Sequence, residues 1–189
     1  MPDQASWQEC RRVAREQGVA PALKLLRTGP RNTAIAAVPA GELPAGTEIL
    51  READLPGGAV AFARGLPGAP AGPDLVWVRL GLSQALLDEC LRYLGERRSG
   101  EESLLRKQMI QDCLATALNG QLSVEADLLA AGGTLAPARV RYLHHLLSDV
   151  DRKLLGLLGA KGFLAGGPGE VADVSELLAS VHEMAEGTT

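Results

Sequence analysis

The stretch VRLGLSQALLDECLRYLGERR (78–98) decides the fold. Leu80, Leu87, Leu91 and Leu94 recur at helical spacing on one stripe, beside Leu86 and Cys90. Downstream, residues 101–130 predict a second long helix through Leu104, Leu105, Ile110, Leu114, Leu118 and Leu122, interrupted near Gly120 and closed by Gly132-Gly133-Thr134. Pro137 stands where a first-turn proline belongs, and a third helix is expected to run to about Leu158. A glycine-rich break (159–169) precedes a fourth helix over about 172–185. Four amphipathic helices with one apolar stripe each make a bundle. Upstream, residues 4–27 carry Trp7, Cys10, Val13, Val19, Leu23 and Leu26 at threes and fours, which predicts one or two helices broken near Gly18 and Pro21. Residues 28–76 are dense in Gly and Pro and hold the short apolar runs TAIAAV, GTEIL and GAVAFA, which read as short strands. The expected division is a helical segment at 1–30, a small β segment at 31–75, and the bundle at 76–189, so the fold class is mainly α.

Bulk composition narrows the function classes. Of 189 residues only 3% are aromatic against 46% hydrophobic, so the core must come from Leu, Val and Ala, which suits close-packed helices. A net charge of -4 argues against a nucleic-acid partner, which needs basic surface for phosphate. No apolar run approaches the ~18 residues a membrane helix requires, and the start MPDQASWQEC lacks the basic and apolar regions of a signal peptide. Cys10, Cys90 and Cys113 are isolated, with no metal-ligand spacing, so no metal is expected and a reducing cytoplasm fits.

Few residues stand out as chemistry by themselves. GLLGAKGFLAGGPG (156–169) lacks phosphate-loop spacing and follows a helix, where glycines act as caps and turns. His144 and His145 are adjacent and point different ways on a helix, so they are expected at the surface or its boundary; His182 carries no assigned role. Arg97 and Arg98 close a helix whose dipole favours cations there, and arginine also suits a bidentate phosphate contact. Glu186 sits in the last helical turn, against the macrodipole, which leaves either a frayed acid or an acid with a job.

At this point the bundle resembles the acyl-CoA dehydrogenase family. RLGLSQALLDECLRYLGERRSGEESLLRKQMIQDCLA (79–115) is similar to the opening of that family's C-terminal helical domain, with its R-x-x-F-G turn and the Gln and Leu-Ala of the next helix. Arg97 falls on the arginine, Gln108 on the glutamine, and Leu114-Ala115 on the Leu-Ala. LLGLLGAKGFLAGGP is similar to Q-x-x-G-G-x-G-[YF] and the proline after it, through Gly159, Gly162, Phe163 and Pro168; MAEGTT is similar to Y-E-G-T. The resemblance covers residues 76–189, and TAIAAVPAG is similar to a strand and turn of the family's middle β-domain.

The resemblance implies α,β-dehydrogenation of an acyl thioester, carried on CoA or a carrier protein, by a flavoprotein that binds FAD between subunits. Glu186 would be the base that removes the α-proton. Arg97 would contact the cofactor diphosphate, with Gln108, Gly159 and Gly162 lining that site. Burial of such a carboxylate raises its pKa toward working pH. The sequence also departs from the pattern. Gly100 and Glu101 replace the Phe-Gly of the turn, Gly156 the adenine-contacting glutamine, Ala160 the second glycine, Leu177-Leu178 an Arg-Asp pair, and Ala185 the tyrosine before the base. The family's N-terminal helical domain and its last helix are absent from the matched region. Two expectations follow: a subunit sharing its flavin site in a homo- or hetero-oligomer with a larger acyl-CoA dehydrogenase, or a non-catalytic assembly partner of an active one.

Overall fold

The computed structural model describes residues 4–26, 35–64, 66 and 72–186, with backbone alone for 182–186. The chain is mainly helical. Helix α1 (Gln4–Gln17) ends on Gly18, whose φ of 97° turns the chain into α2 (Val19–Leu25). Pro21 falls in the first turn of α2, where a proline costs no helical hydrogen bond. The apolar runs form three short strands, β1 (Ile35–Pro39), β2 (Ile49–Ala53) and β3 (Val60–Arg64). They pair antiparallel in the order β1-β3-β2. Central β3 is buried from Val60 to Ala63, while β2 is the exposed edge.

The bundle is α3 (Pro73–Glu96), α4 (Gln108–Ala130), α5 (Pro137–Leu158) and α6 (Pro168–Glu186). Proline opens α3 and α5 at a position where its missing N–H has no helical partner anyway. Helix α1 lies along α3, and a glycine permits it: a Cβ at Gly81 would run into the Arg11 carbonyl oxygen and the Ala14 side chain. Trp7 anchors the same contact, donating from Nε1 to Asp74 Oδ1 at 2.9 Å in the buried layer.

Two sequence expectations shift in detail. The second bundle helix begins at Gln108, since residues 98–103 form a hairpin, β4 (Arg98–Ser99) and β5 (Glu102–Ser103), followed by a 3-10 turn at Leu104–Arg106. Gly100, at φ 69°, makes the hairpin turn. Leu91, placed on the buried stripe by its spacing, is 42% exposed, as Leu118 and Leu122 largely are. The buried stripe of α3 instead centres on Ser83, Cys90 and Leu94. A serine inside it carries no apolar signal, so the stripe reads as rotated toward Leu91.

The core has two apolar parts. One joins α1, α2 and the sheet to Leu75–Leu82 of α3 and to facing residues of the other bundle helices. The other packs Leu86, Cys90 and Leu94 against Leu114, Ala117, Val150, Leu154 and Leu158. Between them runs a buried polar seam contributed by all four bundle helices.

Candidate functional site

The residues singled out by the sequence fall at opposite ends of the bundle. At one end, α3 stops at Arg97, whose backbone is extended. Tyr93, one turn earlier, gathers two cations: the Arg97 guanidinium lies 5.0 Å from its ring centroid and Lys161 Nζ lies 4.6 Å from it. Arg97 also donates to the Tyr93 hydroxyl. Lys161 sits in the 3-10 turn Gly159–Phe163 that follows α5. Gly159 caps α5 at φ 54°, which a side chain would resist, and a Cβ there would meet nothing within 4 Å. Gly162 is buried, and a Cβ would sit 3.4 Å from the Leu155 carbonyl oxygen. Gln108 begins α4 and is exposed beside this end.

The charges at this end lean positive. Arg92, Arg97 and Lys161 face Glu89 and Glu96. Lys161 reaches Glu89 at 2.6 Å, and hydrogen bonds from Arg92 and Lys161 overcome the effect of burial to hold the Glu89 carboxyl below the usual range. Two cations over one aromatic ring, beside an open glycine turn, suit an anionic group such as a diphosphate.

Glu186 is the last residue of α6, and its side chain lies outside the described residues. Helix α6 starts beside the glycine turn, where a Cβ at Gly169 would strike the Gly162 carbonyl oxygen. Eighteen steps of helix at ~1.5 Å each then carry the backbone about 27 Å to Glu186. One bundle therefore does not bring Glu186 together with Arg97, Gly159 and Gly162.

The middle of the bundle holds a second constellation that the sequence reading missed. Arg79 is fully buried. It donates to Ser175 Oγ at 2.9 Å, to Ser148 Oγ at 3.0 Å, to the His144 carbonyl at 3.1 Å and to Glu176 at 3.2 Å. His144 Nδ1 lies 3.1 Å from the same guanidinium. Burial pushes the Arg79 pKa down, opposed by Glu176 and Asp151. His144 is thus 3% exposed and belongs to the interior, which corrects its expected surface position; His145, next to it, faces out. Gln121 on α4 donates to Ser83 at 2.9 Å, and Ser83 in turn bonds the Asp151 carboxyl.

Asp151 is 4% exposed and its Oδ1 has no hydrogen-bond partner among the described residues. Desolvation pushes its pKa up to about 6, against the Ser83 hydrogen bond and the Arg79 charge. With Ser175 it forms the polar end of a cavity of about 110 Å³. The remaining walls are mainly Leu82, Ala85, Leu86, Val171 and Ala172, with Glu89 at one side. The signal was present in the sequence: His144, Ser148 and Asp151 follow at i, i+4 and i+7, and Arg79 and Ser83 at i and i+4. Each set marks one helix face, and both were read past because polar residues do not extend an apolar stripe.

The thiols offer little nucleophilic chemistry. Burial pushes Cys10 and Cys90 up to about 12, and both donate to backbone carbonyls, of Ala22 and Leu154. Among the described residues no group of acidic, His and Cys side chains could hold a metal ion, and no helix is long and apolar enough to cross a membrane.

No protein-family model matches the chain, and no curated protein matches it in sequence. Solved structures do. Butyryl-CoA dehydrogenase from Megasphaera elsdenii is similar at a TM-score of 0.53 and 14% identity, over 81% of this chain and 54% of that one. Glutaryl-CoA dehydrogenase from Mycobacterium smegmatis matches at 0.53 and 19%, over 78% and 49%. A glutaryl-coenzyme A dehydrogenase solved with glutaryl-CoA matches at 0.54 and 16%, over 84% and 47%. The chain spans about half the length of the structures it matches. The fold is that of the acyl-CoA dehydrogenases, as the bundle motifs led one to expect.

Proposed function

We propose that this chain is an acyl-CoA dehydrogenase-like subunit that lends part of an FAD site to an active centre completed by another chain. The observation that carries this reading is the pairing of Arg97 and Lys161 over Tyr93, next to the open turn at Gly159. Arg97 and Lys161 neutralise the cofactor diphosphate. Gln108 and the backbone at Gly159 and Gly162 complete the rim. Flavin, when bound, supplies the hydride acceptor for the β-carbon of an acyl thioester. Glu186, assigned by the motif it ends, takes the α-proton. The ~27 Å of α6 between Pro168, beside the glycine turn, and Glu186 supports a shared arrangement. Each bundle would serve two half-sites, one through each end, in an oligomer with a larger acyl-CoA dehydrogenase. The substrate is a thioester of CoA or of a carrier protein, and the compartment the cytoplasm, where the cysteines stay reduced.

A second reading, a non-catalytic assembly partner, is favoured by one observation. Gly156, in place of the adenine-contacting glutamine, leaves that helix surface bare, with nothing within 4 Å of where a Cβ would be. Glu186→Gln separates the two. In the complex purified from the native host, the first reading expects turnover abolished with flavin retained. Unchanged turnover assigns the base to the partner and supports the second.

A further inference from the structure

The buried polar seam runs beside a cavity in the bundle. Buried ionic groups seldom add net stability over well-packed apolar residues, so a cluster of them beside a void invites a ligand. The void is not sealed by polar groups on all sides. Its body is aliphatic, from Leu82, Leu86, Val171 and Ala172, and its one buried acid, Asp151, lines it with an oxygen left unbonded among the described residues. Ser175, held by Arg79, stands beside that acid.

Charge indicates what would fill it. The charged groups acting on Asp151 are Arg79 from α3 and Glu176 from α6; Glu89 of α3 lines the same cavity, and α4 brings the neutral Gln121 through Ser83. Glu89 is already matched by Arg92, which reaches both of its oxygens. Arg79 hydrogen-bonds Glu176, which is half exposed, and acts on Asp151 through its charge alone. What Asp151 Oδ1 lacks among the described residues is a donor, and a cationic one suits a carboxylate best. Size sets the rest. A cavity of ~150 Å³ takes benzene, so about 110 Å³ takes a body of about four heavy atoms.

We propose that this cavity is a binding site for a primary ammonium group on a short aliphatic body, held by Asp151 Oδ1 and Ser175 with its carbons against Leu82, Leu86 and Ala172. The site borders the Arg97 end through Glu89, which pairs with Lys161, and its filling does not depend on flavin.

The test is calorimetric titration of the purified chain with n-propylammonium, and with 1-propanol as its neutral counterpart of equal size. The ammonium stays charged across the working range because its pKa is close to the ~10.4 of lysine. The expected result is saturable 1:1 binding of n-propylammonium, tighter well above the Asp151 pKa of about 6 than well below it, with 1-propanol at least tenfold weaker. Asp151→Asn, which keeps the shape, should weaken the ammonium by about tenfold or more while the fold persists by circular dichroism. Ala172→Leu should block it by filling the void. Equal binding of the two probes, binding that neither variant changes, or no saturable binding of n-propylammonium would each overturn the proposal.

Discussion

Asp151 makes a stability prediction with an unusual sign. Its carboxyl has a folded-state pKa of about 6 against an ordinary value of 3.8. The folded chain therefore binds that proton more tightly than the unfolded chain does. The stabilisation is full below pH 3.8 and is lost as pH rises through about 6. A shift of roughly two units corresponds to about 3 kcal/mol, since one unit is worth ~1.4 kcal/mol. The group is almost fully buried, so solvent screening takes little from that figure. Asp151→Asn holds the neutral form permanently, and Ser83 can still donate to the amide oxygen. The stability difference between variant and parent should then be near zero at low pH and grow to about 3 kcal/mol in favour of the variant above the transition. Urea unfolding of both proteins across the pH range, followed by circular dichroism, reads this difference directly. Other carboxylates, such as Glu89 with its lowered pKa, act in the opposite sense but cancel between the two proteins. A difference that stays flat with pH would refute the argument, because the carboxyl would then be ionised at the same pH folded and unfolded.

Other perturbations follow from the same packing. Arg79→Met should cost about 3–5 kcal/mol, because it strands Ser175, Ser148 and the buried Asp151 carboxyl; denaturant midpoints would read it. Gly81→Ala should lift α1 from α3 at a cost of about 1–3 kcal/mol, checked by the melting temperature. Leu94→Ala should cost about 2–5 kcal/mol while Leu91→Ala stays within ~1 kcal/mol, a contrast that paired thermal melts would expose.

The bundle was legible because its signals are local and redundant. Pro73 and Pro137 open helices, Gly159 closes one, and leucines repeat between them, so each element is stated several times over. The strands were legible for a similar reason, being short apolar runs cut by Gly and Pro. The start of α4 was misplaced because Leu104 and Leu105 continue the helical spacing, while Gly100 turns the chain into a hairpin that depends on pairing Arg98 with Ser103. The site divides along the same line. Arg97 and Gly159 carried family-like motifs, whereas Lys161 carried none; its place over Tyr93 depends on how α5 returns to α3. Arg79 and Asp151 were invisible as a pair, since they are 72 positions apart and each looks alone like a solvated charge. Their partnership exists only once α3, α5 and α6 pack.

Flavin content tests the central claim most directly. The complex should be purified from the native host with this chain intact and with Arg97→Ala combined with Lys161→Ala, and its flavin absorbance measured per assembled complex. If the Tyr93 end cradles a diphosphate, the intact complex is yellow and the double variant assembles but loses most of its flavin. Equal flavin in both complexes would contradict the account, as would an intact complex that carries none.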